Sequence, residues 1–237
     1  MNNVFLEAAT NLENASIKKW KEKGGKIVGY TCSFLPVEIF YAADILPIRL
    51  RGIDAHSMEI SDSYYGPFVC SFPKAVIQLA GSGKYDFLDG VVISNGCDTL
   101  RRMNDCWRKM GEDIKGTLPS WFYYLDVPHK PDGHAFDWYV NQLKKLIKAI
   151  EQQFDVHISD DKLKKAINTQ NAVRRIIWEL EKLRRETPLK ITGSEAYSAI
   201  IAGTLMPVDE YKKHLIEFVS EIRSRITDFA IDKKRSF

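Results

Sequence analysis

Four cysteines are the residues of this sequence best suited to chemistry: Cys32, Cys70, Cys97 and Cys106. They are too few and too widely spaced for a disulfide scaffold, and no Cys-x-x-Cys pair occurs. In a reducing compartment, thiols with this spacing are buried, catalytic or bound to a metal. The chemistry to consider is therefore that of a thiolate, in catalysis or as a metal ligand.

Cys97 has the most suggestive local context. It follows the apolar run GVVIS (90–94) and the turn Asn95-Gly96, and it precedes a helix for which Asp98 is a good N-cap. Ligands bind at the carboxyl ends of strands in open α/β sheets, and a thiolate beside a helix N-terminus is stabilised by the helix dipole. The alternative is a small buried side chain in a turn.

Cys70 and Cys32 occupy similar places in the predicted elements. Cys70 comes at the start of a helix after the turn-rich segment SDSYYGP, and Cys32 lies between a strand and a helix that opens at Pro36. The three thiols could converge on one edge of a sheet and share a metal, or their placement could be a coincidence. A structural zinc would suit the same thiols, although no compact ligand pair supports it.

Cys106 is predicted to lie apart from this group. It follows Cys97 by nine residues, which is about 900° of rotation along a helix. That rotation places the two side chains on nearly opposite faces. We expect Cys106 to be a core residue outside any site formed by Cys97.

Three charged residues lie near predicted helix starts. Glu38 falls in a first turn, where it could cap the helix or act as an acid/base group facing the cleft. Arg101 and Arg102 oppose the dipole of the helix that begins after Cys97. They indicate an anionic partner, although solvated arginines would explain them too.

The elements that would position these residues alternate between strand and helix over roughly the first 127 residues, which predicts a parallel sheet. The predicted strands are residues 26–30, 46–50, 90–94 and 121–125. Helices are predicted at residues 4–23, from Pro36, from Cys70 to Leu79, and after Asp98.

From Gly133 onward the apolar spacing is helical, with predicted helices at 134–155, 160–186 and 208–229. The predicted fold class is α/β, with a parallel-sheet (Rossmann/flavodoxin-like) amino-terminal domain in residues 1–130. A helical region in residues 131–237 follows it.

Charge and hydropathy bear on several function classes. The 34 basic and 31 acidic residues are spread along the chain, so nucleic-acid binding gains no support. No apolar run reaches the roughly 18 residues of a membrane helix, and Met1 is followed by two asparagines instead of a signal sequence. The segment GSGK (81–84) lacks the spacing of a phosphate loop. We expect a cytoplasmic protein without a nucleic-acid or membrane partner.

Two blocks of the sequence resemble the 2-hydroxyacyl-CoA dehydratase and benzoyl-CoA reductase family. The first is GYTCSFLPVEIFYAADILPIRLRG, with a strand, a cysteine loop and a Pro-x-Glu helix start in the family's order. The second is YYGPFVCSFPKAVIQLAGSGKYDFLDGVVISNGCDTLRRMNDCW, which contains a cysteine-bearing helix, a Y-D-x-L-D-G-V-V strand and a C-D-x-x-R-R motif. The resemblance covers about residues 26–110. Within the family, the sequence is similar to the D-component of 2-hydroxyglutaryl-CoA dehydratase.

The resemblance implies a site as well as a fold. Cys70 and Cys97 would be ligands of a [4Fe–4S] cluster, and Cys32 would lie close to it. Ser33 and Glu38 would act as catalytic residues that hydrogen-bond the substrate or a cluster-bound oxygen. Residues 1–130 would then be the cluster-binding domain.

The implied activity is reductive dehydration of an acyl-CoA thioester by a lyase. A separate ATP-dependent iron–sulfur activator delivers one electron, and the thioester carbonyl becomes a ketyl radical anion. The implied partners are the acyl-CoA substrate, a paired dehydratase subunit and the activator. The alternatives are a subunit of a benzoyl-CoA reductase or a double-cubane-cluster reductase, or a non-catalytic fragment or binding protein with the same fold.

One departure from the family pattern affects these expectations. Members continue into a second α/β domain that contributes a third cysteine ligand, whereas no cysteine follows Cys106 here. Either the chain is truncated, and the helical region leads toward a second domain that is missing, or the remaining ligand comes from elsewhere. Truncation is the simpler account. We expect this chain alone to bind a cluster poorly and to be inactive.

Overall fold

The computed structural model describes residues 3–130 and 132–226. The chain forms two compact units, one made of its two ends, up to Lys19 and from Ile167, and one made of Trp20–Ala166. The domain boundary expected after residue 130 was placed where the predicted elements change from alternating strands and helices to helices alone. It stays a prediction about the domain organisation.

A four-stranded parallel sheet is the centre of the unit Trp20–Ala166. Its strands are β1 (Lys26–Tyr30), β2 (Ile45–Arg49), β3 (Gly90–Ser94) and β4 (Trp121–Leu125). Their order in the sheet is β2-β1-β3-β4, and every neighbouring pair is parallel. This confirms the predicted α/β fold class with a parallel sheet. The predicted bounds agree for three strands, and β2 begins one residue earlier than expected.

The strands form because their side chains can be buried on both faces of the sheet. All five residues of β3, GVVIS, are buried, as parallel strands covered by helices require. Val28, Val92 and Leu125 form one core cluster with Leu146 and Ile150. The sheet therefore provides a fixed platform for the loops at its carboxyl edge.

Helices cover the sheet and connect its strands. Within this unit they are α3 (Glu38–Ala42), α4 (Glu59–Asp62), α5 (Ser71–Gly81), α6 (Asp98–Asp113) and α7 (Gly133–Phe154). Helix α3 contacts β2, α6 contacts both β3 and α5, and α7 contacts β4. Helices α5, α6 and α7 lie where the sequence predicted helices.

The other unit is helical. It contains α1 (Asn3–Thr10), the first part of α2 (Ala15–Glu22), most of α8 (Asp160–Leu183), α9 (Gly193–Ala202) and α10 (Val208–Ser224). Phe5 packs edge-to-face against Tyr211 and Phe218 in its core. None of the helices in the described ranges is long and apolar enough to cross a membrane.

Helices at both ends of the chain differ from the sequence prediction. The prediction of a single helix at residues 4–23 is wrong, because α1 and α2 are separate helices. Between them, buried Asn14 accepts a hydrogen bond from Ile17 N at 2.9 Å and donates one to the Leu205 carbonyl at 3.0 Å. An asparagine that satisfies backbone groups in this way starts a new helix.

Helix α9 was not predicted, and its Thr192 and Glu195 form a capping box. Helix α10 ends at Ser224, and residues 227–229 of its predicted span lie outside the described residues.

Candidate functional site

The strand order reverses direction between β1 and β3. The chain passes from β1 to β2 on one side and continues to β3 on the other, which creates a crevice at the carboxyl ends of β1 and β3. Ligands bind at such a switch point in open α/β sheets. Cys32 follows β1 by two residues, and Cys97 follows β3 by three.

The loops after β1 and β3 are in direct contact. A Cβ added to Gly96 would lie 2.8 Å from the Cys32 Sγ and 3.4 Å from a ring carbon of Phe34. Only glycine fits this approach without a shift of its neighbours. The structure therefore places Cys32 directly against the turn that carries Cys97.

Cys70 and Cys97 are the N-cap residues of α5 and α6. Both are exposed and have extended backbone, with φ −68° and ψ 158° at Cys70 and φ −159° and ψ 169° at Cys97. Within the described residues, neither side chain makes a capping hydrogen bond. Each thiol thus stands at the positive end of a helix dipole. The prediction of Asp98 as N-cap is wrong by one residue, since Asp98 is the first residue of α6.

The side chain of Tyr65 lies among the cysteines. Its ring is buried, and its hydroxyl donates a hydrogen bond to the Thr99 carbonyl at 3.0 Å. Burial raises the pKa of Tyr65 most, and negative charge on Cys106, Cys97 and Cys70 raises it further. All three thiols are therefore near one phenol, and the structure brings Cys70 and Cys97 to the same region.

Cys106 is closer to this region than the helix-face argument predicted. It is half-buried, its thiol donates to the Tyr64 carbonyl at 3.4 Å, and burial raises its pKa. The rotation of 900° assumed that Cys97 was helical, but Cys97 has the extended conformation of an N-cap. Its side-chain direction therefore does not follow the helical repeat, and Cys106 is not the core residue expected.

A cleft of about 660 Å³ opens beside the two N-cap cysteines. The segment before α5 forms one wall, which ends at Val69 next to Cys70, and α6 forms the other, from Asp98 to Lys109. Arg102 is part of this wall, so one of the two arginines singled out in the sequence reaches the cleft. The cleft has room for part of a small-molecule ligand.

Glu38 and Cys32 lie close to the same two tyrosines. Burial raises the pKa of Tyr30 to about 12, and the charges of Glu38 and Cys32 contribute to the increase. Burial also raises the pKa of Tyr139, with smaller contributions from the same two charges. Glu38 is only 8% exposed in the first turn of α3. Ser33 is exposed on the loop between them.

Hydrogen bonds hold the loops after β1 and β3 in place. The Tyr139 hydroxyl of α7 donates to the Phe34 carbonyl in the Cys32 loop. After β3, the buried Asn95 side chain donates to Asp126 Oδ1 at 2.6 Å and accepts from Val127 N at 2.7 Å. Both loops are therefore tied to neighbouring elements.

Sequence reasoning missed Tyr65, Tyr139 and Asn95 as supports of these loops. Tyr65 is part of the turn-rich segment before Cys70, where an aromatic side chain gives no periodic signal of burial. Tyr139 lies 105 residues from its partner Phe34, a distance that no local pattern covers. Asn95 looked like an ordinary turn residue.

The thiols have the chemistry that an iron–sulfur cluster requires, but their number is incomplete. Soft thiolates suit iron, and Cys70 and Cys97 are both accessible. Among residues 3–130 and 132–226, no group of three or more His, Cys, Asp or Glu side chains is arranged to hold a metal ion.

Comparisons with known proteins agree with the resemblance seen in the sequence. The family model for the D-component of 2-hydroxyglutaryl-CoA dehydratase matches residues 32–236. A benzoyl-CoA reductase subunit of Thauera aromatica is 27% identical over 217 residues, covering 89% of this chain and 54% of that protein. The (R)-2-hydroxyglutaryl-CoA dehydratase subunit beta of Acidaminococcus fermentans is 27% identical over 207 residues, covering 87% and 53%.

The beta subunit of (R)-phenyllactyl-CoA dehydratase from Clostridium sporogenes is a further relative, 24% identical over 223 residues. The match covers 58% of that relative. The chain therefore spans about half the length of the curated relatives it matches. The match of the family model over most of the sequence decides the assignment. The chain belongs to the 2-hydroxyglutaryl-CoA dehydratase D-component family.

Proposed function

We propose that this protein is an iron–sulfur subunit of a 2-hydroxyacyl-CoA dehydratase-like lyase. The observation that carries the proposal is the pair of exposed thiols, Cys70 and Cys97, at the N-termini of α5 and α6 beside the shared side chain of Tyr65. Names of the relatives, which include dehydratase beta subunits, support the reaction class.

In this proposal Cys70 and Cys97 are two ligands of a [4Fe–4S] cluster, and Cys32 is a cofactor-binding residue close to it. When bound, such a cluster would supply one-electron chemistry at low potential. Each proposed ligand lies at the N-terminus of a helix, α5 or α6. Contact of the Cys32 loop with Gly96 supports the placement of Cys32 near Cys97.

Glu38 and Ser33 are the proposed catalytic residues. The exposed Ser33 hydroxyl can donate a hydrogen bond to the carbonyl of a thioester in the crevice. The Glu38 carboxyl is buried near Tyr30 and Tyr139, so it is shielded from water and can hold or accept a proton. Both lie on the segment that follows β1, at the switch point of the sheet.

The proposed substrate is an acyl-CoA, and the cleft beside Cys70 and Cys97 is its proposed entrance. Arg102 in the wall of the cleft can pair with an anionic group such as a phosphate of coenzyme A. Apolar surface is also available, because Phe68 in the same wall is 99% exposed. Exclusion of water there would strengthen the electrostatic interactions of the site.

The proposed partners are a second dehydratase subunit and an ATP-dependent iron–sulfur activator that delivers the electron. Support for the paired subunit is that the relatives are themselves named as subunits of dehydratases or of a reductase. The proposed location of the protein is the cytoplasm.

A benzoyl-CoA reductase-type subunit is the second candidate. The observation in its favour is the similarity to the benzoyl-CoA reductase subunit of Thauera aromatica, which covers 89% of this chain at 27% identity. Both candidates use the same cluster and an acyl-CoA thioester. Turnover assays with a 2-hydroxyacyl-CoA and with an aromatic acyl-CoA would separate them.

Iron and sulfide analysis with an electron paramagnetic resonance spectrum tests the proposal. Protein would be purified without oxygen, both as this chain and as a longer form fused to the second domain of a relative. About four irons per longer chain and few in this one support the cluster assignment. No iron in either form would instead favour a non-catalytic binding protein.

A further inference from the structure

The segment Ser63–Cys70 connects α4 to α5 and carries one of the two proposed ligands at its end. It runs along α6, whose N-cap is the other ligand, Cys97. The two thiols belong to different elements, so the sheet alone does not fix the distance between them. Packing of α5 against α6 and contacts between this segment and α6 together set it.

Tyr65 makes one of these contacts, at the start of α6. Its hydroxyl donates to the carbonyl of Thr99, which is two residues beyond Cys97 and in the first turn of α6. The ring is only 4% exposed, so it is held by packing as well as by the hydrogen bond. Tyr65 itself is five residues before Cys70.

The adjacent residue, Tyr64, makes a similar bond at the other end of α6. Its hydroxyl donates to Asp113 Oδ2 at 3.2 Å, and Asp113 is the last residue of the helix. This bond is on the surface, where a hydrogen bond exchanges readily with water. Tyr64 and Tyr65 therefore join the same two elements at different distances from the cysteines.

We infer that Tyr65 is a positioning residue, whose hydroxyl bond to the Thr99 carbonyl sets the separation of the Cys70 and Cys97 thiols. The inference rests on the proposed function, in which both thiols bind one cluster. Ligands of a metal site must be held to within about 0.5 Å by supporting hydrogen bonds and packing. Without the hydroxyl, the segment before α5 can shift along α6 and carry Cys70 away.

The inference differs from a purely structural role for Tyr65. A core residue that only fills space would change the free energy of unfolding when altered, but would leave the distance between the two thiols unchanged. Tyr65→Phe keeps the ring and removes only the hydroxyl. The distance between Cys70 and Cys97 is therefore the property to measure.

The experiment uses bifunctional maleimides of graded length on the reduced, iron-free chain. Cross-linked peptides are identified by mass spectrometry, which assigns each cysteine separately because all four fall in different tryptic peptides. The shortest reagent that joins Cys70 to Cys97 in the unchanged chain is then applied to Tyr65→Phe and, as the matched control, to Tyr64→Phe. We expect the yield to fall severalfold in Tyr65→Phe and to stay unchanged in Tyr64→Phe.

Hydrogen exchange provides a second measurement that does not depend on the reagent. Backbone amides in residues 63–70 should exchange faster in Tyr65→Phe than in Tyr64→Phe, while amides of β3 keep their protection. Circular dichroism establishes that both variants are folded.

An unchanged cross-linking yield in Tyr65→Phe would overturn the inference, as would an equal loss in both variants or the absence of a cross-link in the unchanged chain. None of these results depends on iron. Loss of the cross-link in Tyr65→Phe supports the positioning role even if no form of the protein binds a cluster, so the two proposals fail separately.

Discussion

The thiol of Cys32 lies so close to Gly96 that a Cβ at position 96 would stand 2.8 Å from the sulfur. The two residues belong to the loops after β1 and β3. These are the neighbouring strands between which the strand order reverses. Their contact makes the spacing of these loops sensitive to a single methyl group.

Gly96→Ala is expected to destabilise the protein by about 1–3 kcal/mol, because a methyl group must displace the Cys32 loop. Denaturant unfolding measures the change. Gly133→Ala is the control, since a Cβ there meets nothing within 4 Å. The double change Cys32→Ala with Gly96→Ala should recover part of the loss, and failure to recover any would show that Cys32 is not the obstacle.

Cys70→Ala or Cys97→Ala should abolish cluster assembly in the longer form, because each removes a proposed ligand. Cys106→Ala should leave the iron content intact and lower stability by about 1 kcal/mol through lost packing and the lost hydrogen bond to Tyr64. Iron analysis and thermal unfolding measure the two effects. Loss of iron in Cys106→Ala alone would place Cys106 among the ligands.

Asn95→Ala should destabilise the carboxyl edge of the sheet. The buried side chain donates to Asp126 and accepts from Val127 N, and its removal leaves a buried backbone donor without a partner at a cost of about 1–3 kcal/mol. The turn before Cys97 should also loosen, so alkylation of Cys97 should become faster. Asn104→Ala on α6 is the control, and an equal effect there would contradict the role of Asn95.

Alkaline pH should destabilise the unit that contains the sheet. Burial raises the pKa of Tyr30 to about 12 from an ordinary value of 10.0. The unfolded chain therefore loses this proton first, and the stabilisation present below pH 10 is lost between about pH 10 and 12, at up to about 1.4 kcal/mol per pH unit.

Unfolding measured at several alkaline pH values, together with the absorbance of tyrosinate, tests this prediction. Tyr30→Phe should weaken the dependence on pH, whereas a change at the exposed Tyr197 should not. An unchanged pH dependence in Tyr30→Phe would show that other groups cause the loss.

The strands and the family were visible in the sequence because both depend on local patterns. Continuous apolar runs such as GVVIS identify buried parallel strands without knowledge of their neighbours. The cysteine-bearing motifs retain their order along the chain, and so the resemblance could be recognised. Placement of Cys70 and Cys97 at helix starts followed from the same local signals.

Only the tertiary structure decided how these local elements meet. Asn14 divides a predicted helix because it bonds to Leu205, which is 191 residues away. Cys97 and Cys106 both lie near Tyr65, because the side chain of the N-cap residue Cys97 does not follow the helical repeat. Tyr65 lies among three thiols because α6 packs beside the segment before α5. Sequence periodicity describes each element by itself, while contacts between distant residues determine which side chains surround the site.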